Sequence, residues 1–273
     1  MKLRFVKVNP VENMTILVLD QLPTEYHKEV ANRLMNYNNI YAEQVGFIQR
    51  EDPYMRLQMM GGEFCGNATR SLAAYMVYNS YPGIRRMDGG YEVELKASGV
   101  TNTIKCIVKP TDKENVYYSQ IDMPLPLAVK DQSFYKKGET INTVRVDLPG
   151  IVHIIVDANL IEDKEQFFQI VKSEMDKGNY EAFGIMFYDR KKDYMEPLVY
   201  VKVTDSLYWE RSCASGTCAL GSALAYEENQ PITRSIYQPG GSLEVTAEWK
   251  VGKIVGLELN GLVEIVAEGI VYI

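Results

Sequence analysis

The sequence predicts an α/β (α+β) protein built from a duplicated unit, each copy a β-rich layer around one central helix. Three observations carry this. Two segments look like copies of one another: Cys65-Gly66-Asn67-Ala68-Thr69-Arg70-Ser71-Leu72 and Cys213-Ala214-Ser215-Gly216-Thr217-Cys218-Ala219-Leu220. Thr stands four residues after each lead cysteine and Leu seven after it, and the two cysteines lie 148 residues apart, just over half of the 273-residue chain. The order of strands and helices before the first segment is replayed, less cleanly, before the second.

Apolar alternation predicts strands over 3–8 and 14–19, separated by a turn at Asn9-Pro10. Thr24 is expected to cap a helix over 25–37 whose Val30, Leu34 and Tyr37 share one face. Strands follow over 45–49 and 54–60, the second broken by Gly61-Gly62. The Cys65 loop leads into a helix over 67–79, with Pro82-Gly83 beyond it. Strands over 91–96, 101–108 and 117–123 complete the first half, and Met123-Pro124-Leu125-Pro126 reads as a linker. The second half offers a strand over 151–156 carrying His153, a helix over 163–177 and strands over 185–188 and 198–203. A helix over 216–228 follows the Cys213 loop, and strands over 243–249, 254–259 and 263–273 close the chain. The expected domains are 1–122 and 123–262.

Composition narrows the function. At 46% hydrophobic and 24% charged residues the chain is ordinary for a globular protein that buries a sizeable core. No apolar run approaches the roughly 20 residues of a membrane span, so no membrane partner is expected. The first residues lack the basic, apolar and small-residue succession of a signal peptide, and a cytoplasmic location is the expectation. A net charge of −7 leaves no basic excess to neutralise phosphates, which argues against a nucleic-acid partner. Four cysteines in such a chain read as thiols rather than a disulfide framework, and two histidines are too few for a His-rich metal site.

The lead cysteines carry the chemistry. Inverting an amino-acid Cα requires a base on one face and a proton donor on the other, and one thiolate with one thiol meets that need. A thiol titrates near ~8.5, and a position just ahead of a helix favours its thiolate through the macrodipole and the unpaired N–H groups. The N–H groups of Gly66, Asn67, Ala214, Ser215 and Gly216 are placed to bind a substrate carboxylate and the charge that develops on it. Cys106 in a strand and Cys218 within a helix read as packing thiols, and no cofactor or metal is implied. Gly61-Gly62 is not a phosphate loop, because no Gly-Lys-Ser/Thr follows.

At these residues the chain resembles the diaminopimelate epimerase-like superfamily of pyridoxal-phosphate-independent racemases and epimerases, over essentially its whole length. Asn13-Met14-Thr15-Ile16-Leu17-Val18, Glu43-Gln44-Val45-Gly46-Phe47-Ile48, Glu63-Phe64-Cys65-Gly66-Asn67-Ala68-Thr69, Trp209-Glu210 with Ser212-Cys213, and Gln238-Pro239-Gly240-Gly241-Ser242 resemble the histidine racemases of staphylopine-type metallophore pathways more closely. The resemblance implies two pseudo-symmetric halves, each a β-barrel-like sheet around a central helix, with the active site in the cleft between them. It implies that Cys65 and Cys213 are the base/acid pair and that Asn67, Ala214, Ser215 and Gly216 form the carboxylate loops. Asn13 and Gln44 would line the cleft, with Glu210 near the reacting centre. The resemblance also implies that the last strand, 263–273, returns to the first half, and homodimerisation is implied by the resemblance alone.

Two departures weaken a diaminopimelate substrate: only Ser212 intervenes between Arg211 and Cys213, and Gly150-Ile151-Val152 precedes His153 where an Asn-Pro-His motif would stand. Arg211 cuts the other way, since the matching arginine of the epimerases holds a distal carboxylate. It also reads as a surface ion-pair residue, and Glu210 as a solvated strand end. His153 reads equally as a hydrogen-bonded core histidine or a cleft residue. The expected function is a cofactor-independent amino-acid racemase with a small-molecule substrate, histidine or another amino acid with a polar or basic side chain. Diaminopimelate epimerase and a non-catalytic amino-acid or opine binding protein are the alternatives.

Overall fold

A computed structural model describes residues 1–136 and 138–273 of the chain. The chain divides into two compact units, Met1–Asp122 with Leu259–Ile273, and Met123–Glu258.

In the first unit β1 (Lys2–Asn9) lies antiparallel to β2 (Thr15–Val18). Helix α1 (His27–Met35) crosses over to β3 (Gln44–Glu51), which runs parallel to β2. Strand β4 (Tyr54–Met59) returns antiparallel to β3. Helix α2 (Gly66–Tyr78) then leads to β5 (Arg85–Met87) and β6 (Gly90–Ala97), the latter parallel to β4. Strands β7 (Ile104–Pro110) and β8 (Val116–Asp122) follow as an antiparallel meander.

The second unit repeats that pairing. The antiparallel pair β9 (Ala128–Lys136) and β10 (Glu139–Leu148) opens it, and β11 (Ile151–Asp157) lies antiparallel to β10. Helix α3 (Lys164–Met175) crosses to β12 (Ala182–Asp189), parallel to β11, and β13 (Tyr194–Val201) returns antiparallel. After β14 (Ser206–Trp209) comes α4 (Ala214–Glu228), then β15 (Ile232–Gln238), which meets β13 in parallel, and β16 (Gly241–Lys250). The 20-residue β17 (Lys253–Tyr272) ends the chain and pairs along β1. The run β1, β2, β3, β4, β6, β7 thus has the same pairing senses as β10, β11, β12, β13, β15, β16.

Each unit wraps strands around its own helix. Helix α2 packs on β2, β3, β4, β6, β7 and β8, and α4 on β9, β10, β11, β12, β15 and β16. Every residue of α2 from Gly66 to Val77 is buried, as is almost all of α4 to Ala225. Ala, Gly, Ser and Thr make up 9 of the 15 residues of α4 and 6 of the 13 of α2, and such small side chains let strands close in around both helices. Leu72 and Leu220, seventh after their cysteines, are fully buried, where truncation of a Leu to Ala costs about 2–5 kcal/mol. The crossover helices are amphipathic instead. Val30, Ala31 and Leu34 of α1 pack on Phe5, Ile16 and Phe47, while Phe167, Phe168 and Val171 of α3 pack on Phe183, Phe187 and Tyr200.

Four expectations need correction. Thr24 is no cap: it opens a 3-10 turn, Thr24–Tyr26, after Pro23, and α1 starts at His27 with no side-chain cap. His27 is buried there, stacked on Phe47 at 3.8 Å and bonded through Nε2 to the Leu22 carbonyl oxygen. Tyr37 does not join the Val30/Leu34 face, because α1 ends at Met35 and leaves Tyr37 86% exposed. The strands β5, β9, β10, β14 and β15 are additions to the expected set; β10 is held by pairing on both edges, to β9 and β11. The break expected between 259 and 263 does not occur, since β17 runs through Asn260-Gly261 unbroken. Cys106 and Cys218 are fully buried packing residues.

Candidate active site

Cys65 is the N-cap residue of α2 and Cys213 that of α4. Their backbones match closely, φ/ψ of −127°/111° and −124°/110°. The match extends through the first turn. Each sulfur accepts the N–H three residues on, Ala68 at 3.5 Å and Gly216 at 3.3 Å. Each cysteine carbonyl oxygen takes the N–H of the +4 threonine at 2.9 Å and its hydroxyl at 2.7 Å. Both thiols therefore sit at the positive end of a buried helix, where the unpaired amides and the dipole stabilise negative charge.

The surroundings of the two sulfurs differ. In the first unit the Cys65 thiol donates to Gln44 Oε1 at 2.7 Å. Gln44 Nε2 donates in turn to Asn13 Oδ1 and, at 3.1 Å, to Thr15 Oγ1. Strand pairing places Gln44 directly beside Thr15, so the amide is fixed by β2 before it meets the sulfur. Asn67, two residues after Cys65, accepts from the guanidinium of the fully buried Arg70 at 2.8 Å.

In the second unit Cys213 is 5% exposed. Burial pushes its thiol up, and the neighbouring Glu210 carboxylate adds to that by charge and as a hydrogen-bond acceptor; the Ser215 hydroxyl and the Gly216 N–H pull the other way. Ser215 Oγ lies 3.6 Å from the sulfur and 3.0 Å from His153 Nε2. His153 is fully buried, and burial pushes its imidazole down to about 3, so it is neutral at physiological pH. Gln238 locks the loop from β15: its Oε1 accepts the Cys213 N–H at 2.8 Å and its Nε2 donates to Thr217 Oγ1 at 2.9 Å.

A family model described as the histidine racemase CntK N-terminal domain matches residues 2–272. The chain belongs to this histidine racemase family. A histidine racemase of Fusobacterium nucleatum subsp. nucleatum is 37% identical, the alignment covering 99% of this chain and 97% of the relative. One of Staphylococcus aureus is 28% identical over 99% of this chain and 98% of its own. Two solved structures share the fold. A probable proline racemase from Agrobacterium radiobacter with bound carbonate superposes with a TM-score of 0.68 at 10% identity, covering 98% of this chain and 92% of that one. A hydroxyproline epimerase from Agrobacterium vitis with bound trans-4-hydroxy-L-proline gives 0.71 at 10% identity, covering 98% and 90%. The fold is that of the pyridoxal-phosphate-independent racemases and epimerases.

Against this family frame the expected site residues fall into groups. Cys65, Gln44 and Asn13 form one hydrogen-bonded network, with Gly66 and Asn67 in the first turn of α2 beside it. Glu210, Cys213, Ser215, Gly216 and His153 form a second, with Ala214 opening α4. The Gly216 N–H is on the Cys213 sulfur, and Ala214 and Ser215 open the helix ahead of it. Arg211 stands with the turn that follows β15, its guanidinium on the Pro239 carbonyl oxygen at 3.1 Å and its own carbonyl on the Gly240 N–H at 2.7 Å. Gln238, Arg70 and Thr217 were not singled out as site residues. The threonine spacing was the available signal for Thr217 and the resembling segment Gln238–Ser242 that for Gln238; what neither shows is the contact each makes with the Cys213 loop, or that of Arg70 with Asn67.

No helix among the described residues is long and apolar enough to cross a membrane.

Proposed function

We propose that the protein is a cofactor-independent histidine racemase in which Cys65 and Cys213 are the two acid/base groups at Cα. The observation that carries the reading is the paired N-cap geometry: two thiols, each at the N-terminus of a buried helix, each accepting the +3 N–H. Family membership supplies histidine as the substrate and a racemisation as the reaction.

The α-proton of an amino acid is weakly acidic, and removing it places charge on the carboxylate. Helix N-terminal amides at Gly66, Asn67, Ala214 and Ser215 suit that charge, and donors aimed at it favour the transition state over the ground state. One cysteine as thiolate removes the proton from one enantiomer while the other, as thiol, delivers a proton to the opposite face. In the reverse direction the roles exchange. Gln44 accepts from the Cys65 thiol and Glu210 from the Cys213 thiol, so each proton-bearing sulfur has a defined orientation. The substrate's polar side chain would be met by neutral and acidic groups such as Asn13, Gln44 and Glu210.

The test is racemisation of L-histidine by the Cys65→Ser and Cys213→Ser variants, with exchange of the α-proton followed in deuterium oxide. Loss of racemisation in both, by roughly 10²–10⁴ as for removal of a general acid or base, supports the assignment. Wild-type racemisation in either variant overturns it.

A further inference from the structure

We propose that His153 is a positioning residue for Cys213, acting through the Ser215 hydroxyl to hold a hydrogen-bond donor on the sulfur. The inference rests on the reading of Cys213 as an acid/base group.

Three groups follow one another within the second unit: His153 Nε2, then Ser215 Oγ at 3.0 Å, then Cys213 Sγ at 3.6 Å from that oxygen. The imidazole is built into this place. His153 pairs in register with Gly184 on the adjacent parallel strand, and a Cβ at Gly184 would stand 2.5 Å from Nδ1 and 2.9 Å from Cε1. The ring occupies space that a side chain at 184 would fill.

The polarity of the chain of bonds follows from the other ring nitrogen. Among the described residues Nδ1 is buried without a hydrogen-bond partner. A neutral imidazole carries one N–H, and an orphaned buried N–H is rarer than an under-satisfied acceptor. The proton therefore belongs on Nε2. His153 Nε2–H donates to Ser215 Oγ, and the hydroxyl hydrogen, with its acceptor face occupied, is turned to Cys213 Sγ. A serine without this partner could rotate its hydrogen elsewhere. His153 takes up no proton in this arrangement; burial keeps it neutral, and it is not a general base.

The consequence is a balance at one sulfur. The Glu210 carboxylate, entering from the loop before α4, opposes the thiolate. The Ser215 hydroxyl, fixed from β11 by His153, and the Gly216 N–H of α4 favour it. The β12 neighbour, Met186, is apolar and titrates nothing. The relay sets how much thiolate survives beside a carboxylate; in the first unit the matching +2 residue, Asn67, accepts from Arg70.

The experiment is the pH dependence of Cys213 alkylation by iodoacetamide in the full chain, in a Cys65→Ser background, with the modified residue identified by peptide mass spectrometry. Ser215→Ala is expected to slow alkylation at neutral pH by roughly ten-fold and to move the midpoint upward by about one pH unit. His153→Leu is expected to do the same, and the double variant to do no more, because both remove one donor. Ser215→Thr, which keeps the hydroxyl, is expected to restore the wild-type profile. An unmoved midpoint in Ser215→Ala, or additive shifts in the double variant, overturns the proposal. Should His153→Leu fail to fold, nitrogen NMR of the wild-type imidazole decides: a proton on Nε2 supports the relay, a proton on Nδ1 contradicts it. These readouts do not depend on turnover. Racemisation retained by Cys213→Ser would sink the functional reading and leave the relay standing or falling on its own data.

Discussion

The Cys65 thiol donates to a neutral amide, Gln44 Oε1 at 2.7 Å, whereas the Cys213 thiol faces the carboxylate of Glu210. The repeated loops thus hold their sulfurs in matching backbone geometry and unlike electrostatic surroundings. Gln44→Leu removes the acceptor and leaves the thiol to rotate. Racemisation should fall by roughly 5–30-fold, the equivalent of one buried hydrogen bond at about 1–2 kcal/mol. Steady-state kinetics in both directions would check it, and an unchanged kcat/KM would show that the bond has no part in turnover.

Replacing Glu210 by Gln removes the nearby charge that opposes ionisation of Cys213. Alkylation of this cysteine should then gain its thiolate at lower pH than in the wild type. A shift to higher pH would mean that the carboxylate helps the thiolate form.

Gly216 is a spacing residue. A Cβ there would lie 2.3 Å from Met186 Sδ and 3.1 Å from Cys213 Sγ, so Gly216→Ala must move packed atoms or the sulfur. Overpacking of this kind costs about 1–3 kcal/mol, against the smaller gain that Ala brings to a helix. Denaturant unfolding should show the loss, and it should shrink when Met186→Ala clears the space.

His153 makes stability depend on acid. Its folded pKa, about 3, lies below the unfolded value near 6.5, so the unfolded chain binds the extra proton. The contribution is whole above about pH 6.5 and is lost as pH falls toward 3, roughly 3 kcal/mol of it by about pH 4. Unfolding measured at pH 7 and pH 4 should show a steeper drop for the wild type than for His153→Gln. Equal drops would contradict the burial of a neutral imidazole.

The cysteine loops were legible because their signal is local: the lead residue, the +4 threonine and the +7 leucine are dictated by one turn of cap and one buried stripe. The crossover helices were legible for the same reason, through Val30/Leu34 and the apolar positions of 163–177. What failed depended on distant partners. Strand β9 places Lys130, Asp131 and Tyr135 on exposed positions and is specified by its pairing with β10. Asn260-Gly261 reads as a turn locally, yet Gly261 is buried within a strand whose later residues are bonded along β1.

The site divides along the same line. Cap and amide geometry follow from the loop sequence, and the helix starts of α2 and α4 fall one and two residues before the expected ones. Gln238, which clamps Cys213 N–H from 25 positions away, and Arg70, buried under Asn67, contribute through tertiary contacts. No periodicity announces them. His153 was ambiguous because an apolar strand offers either role; the register with Gly184 decides its placement.

The two-base account is tested most directly by racemising unlabelled L-histidine in deuterium oxide and stopping early. Two thiols acting on opposite faces predict D-histidine that carries deuterium at Cα beside remaining L-histidine that is still protiated, with both cysteine variants inactive. Deuterium appearing equally in both enantiomers, or protium carried over into the product, would contradict it.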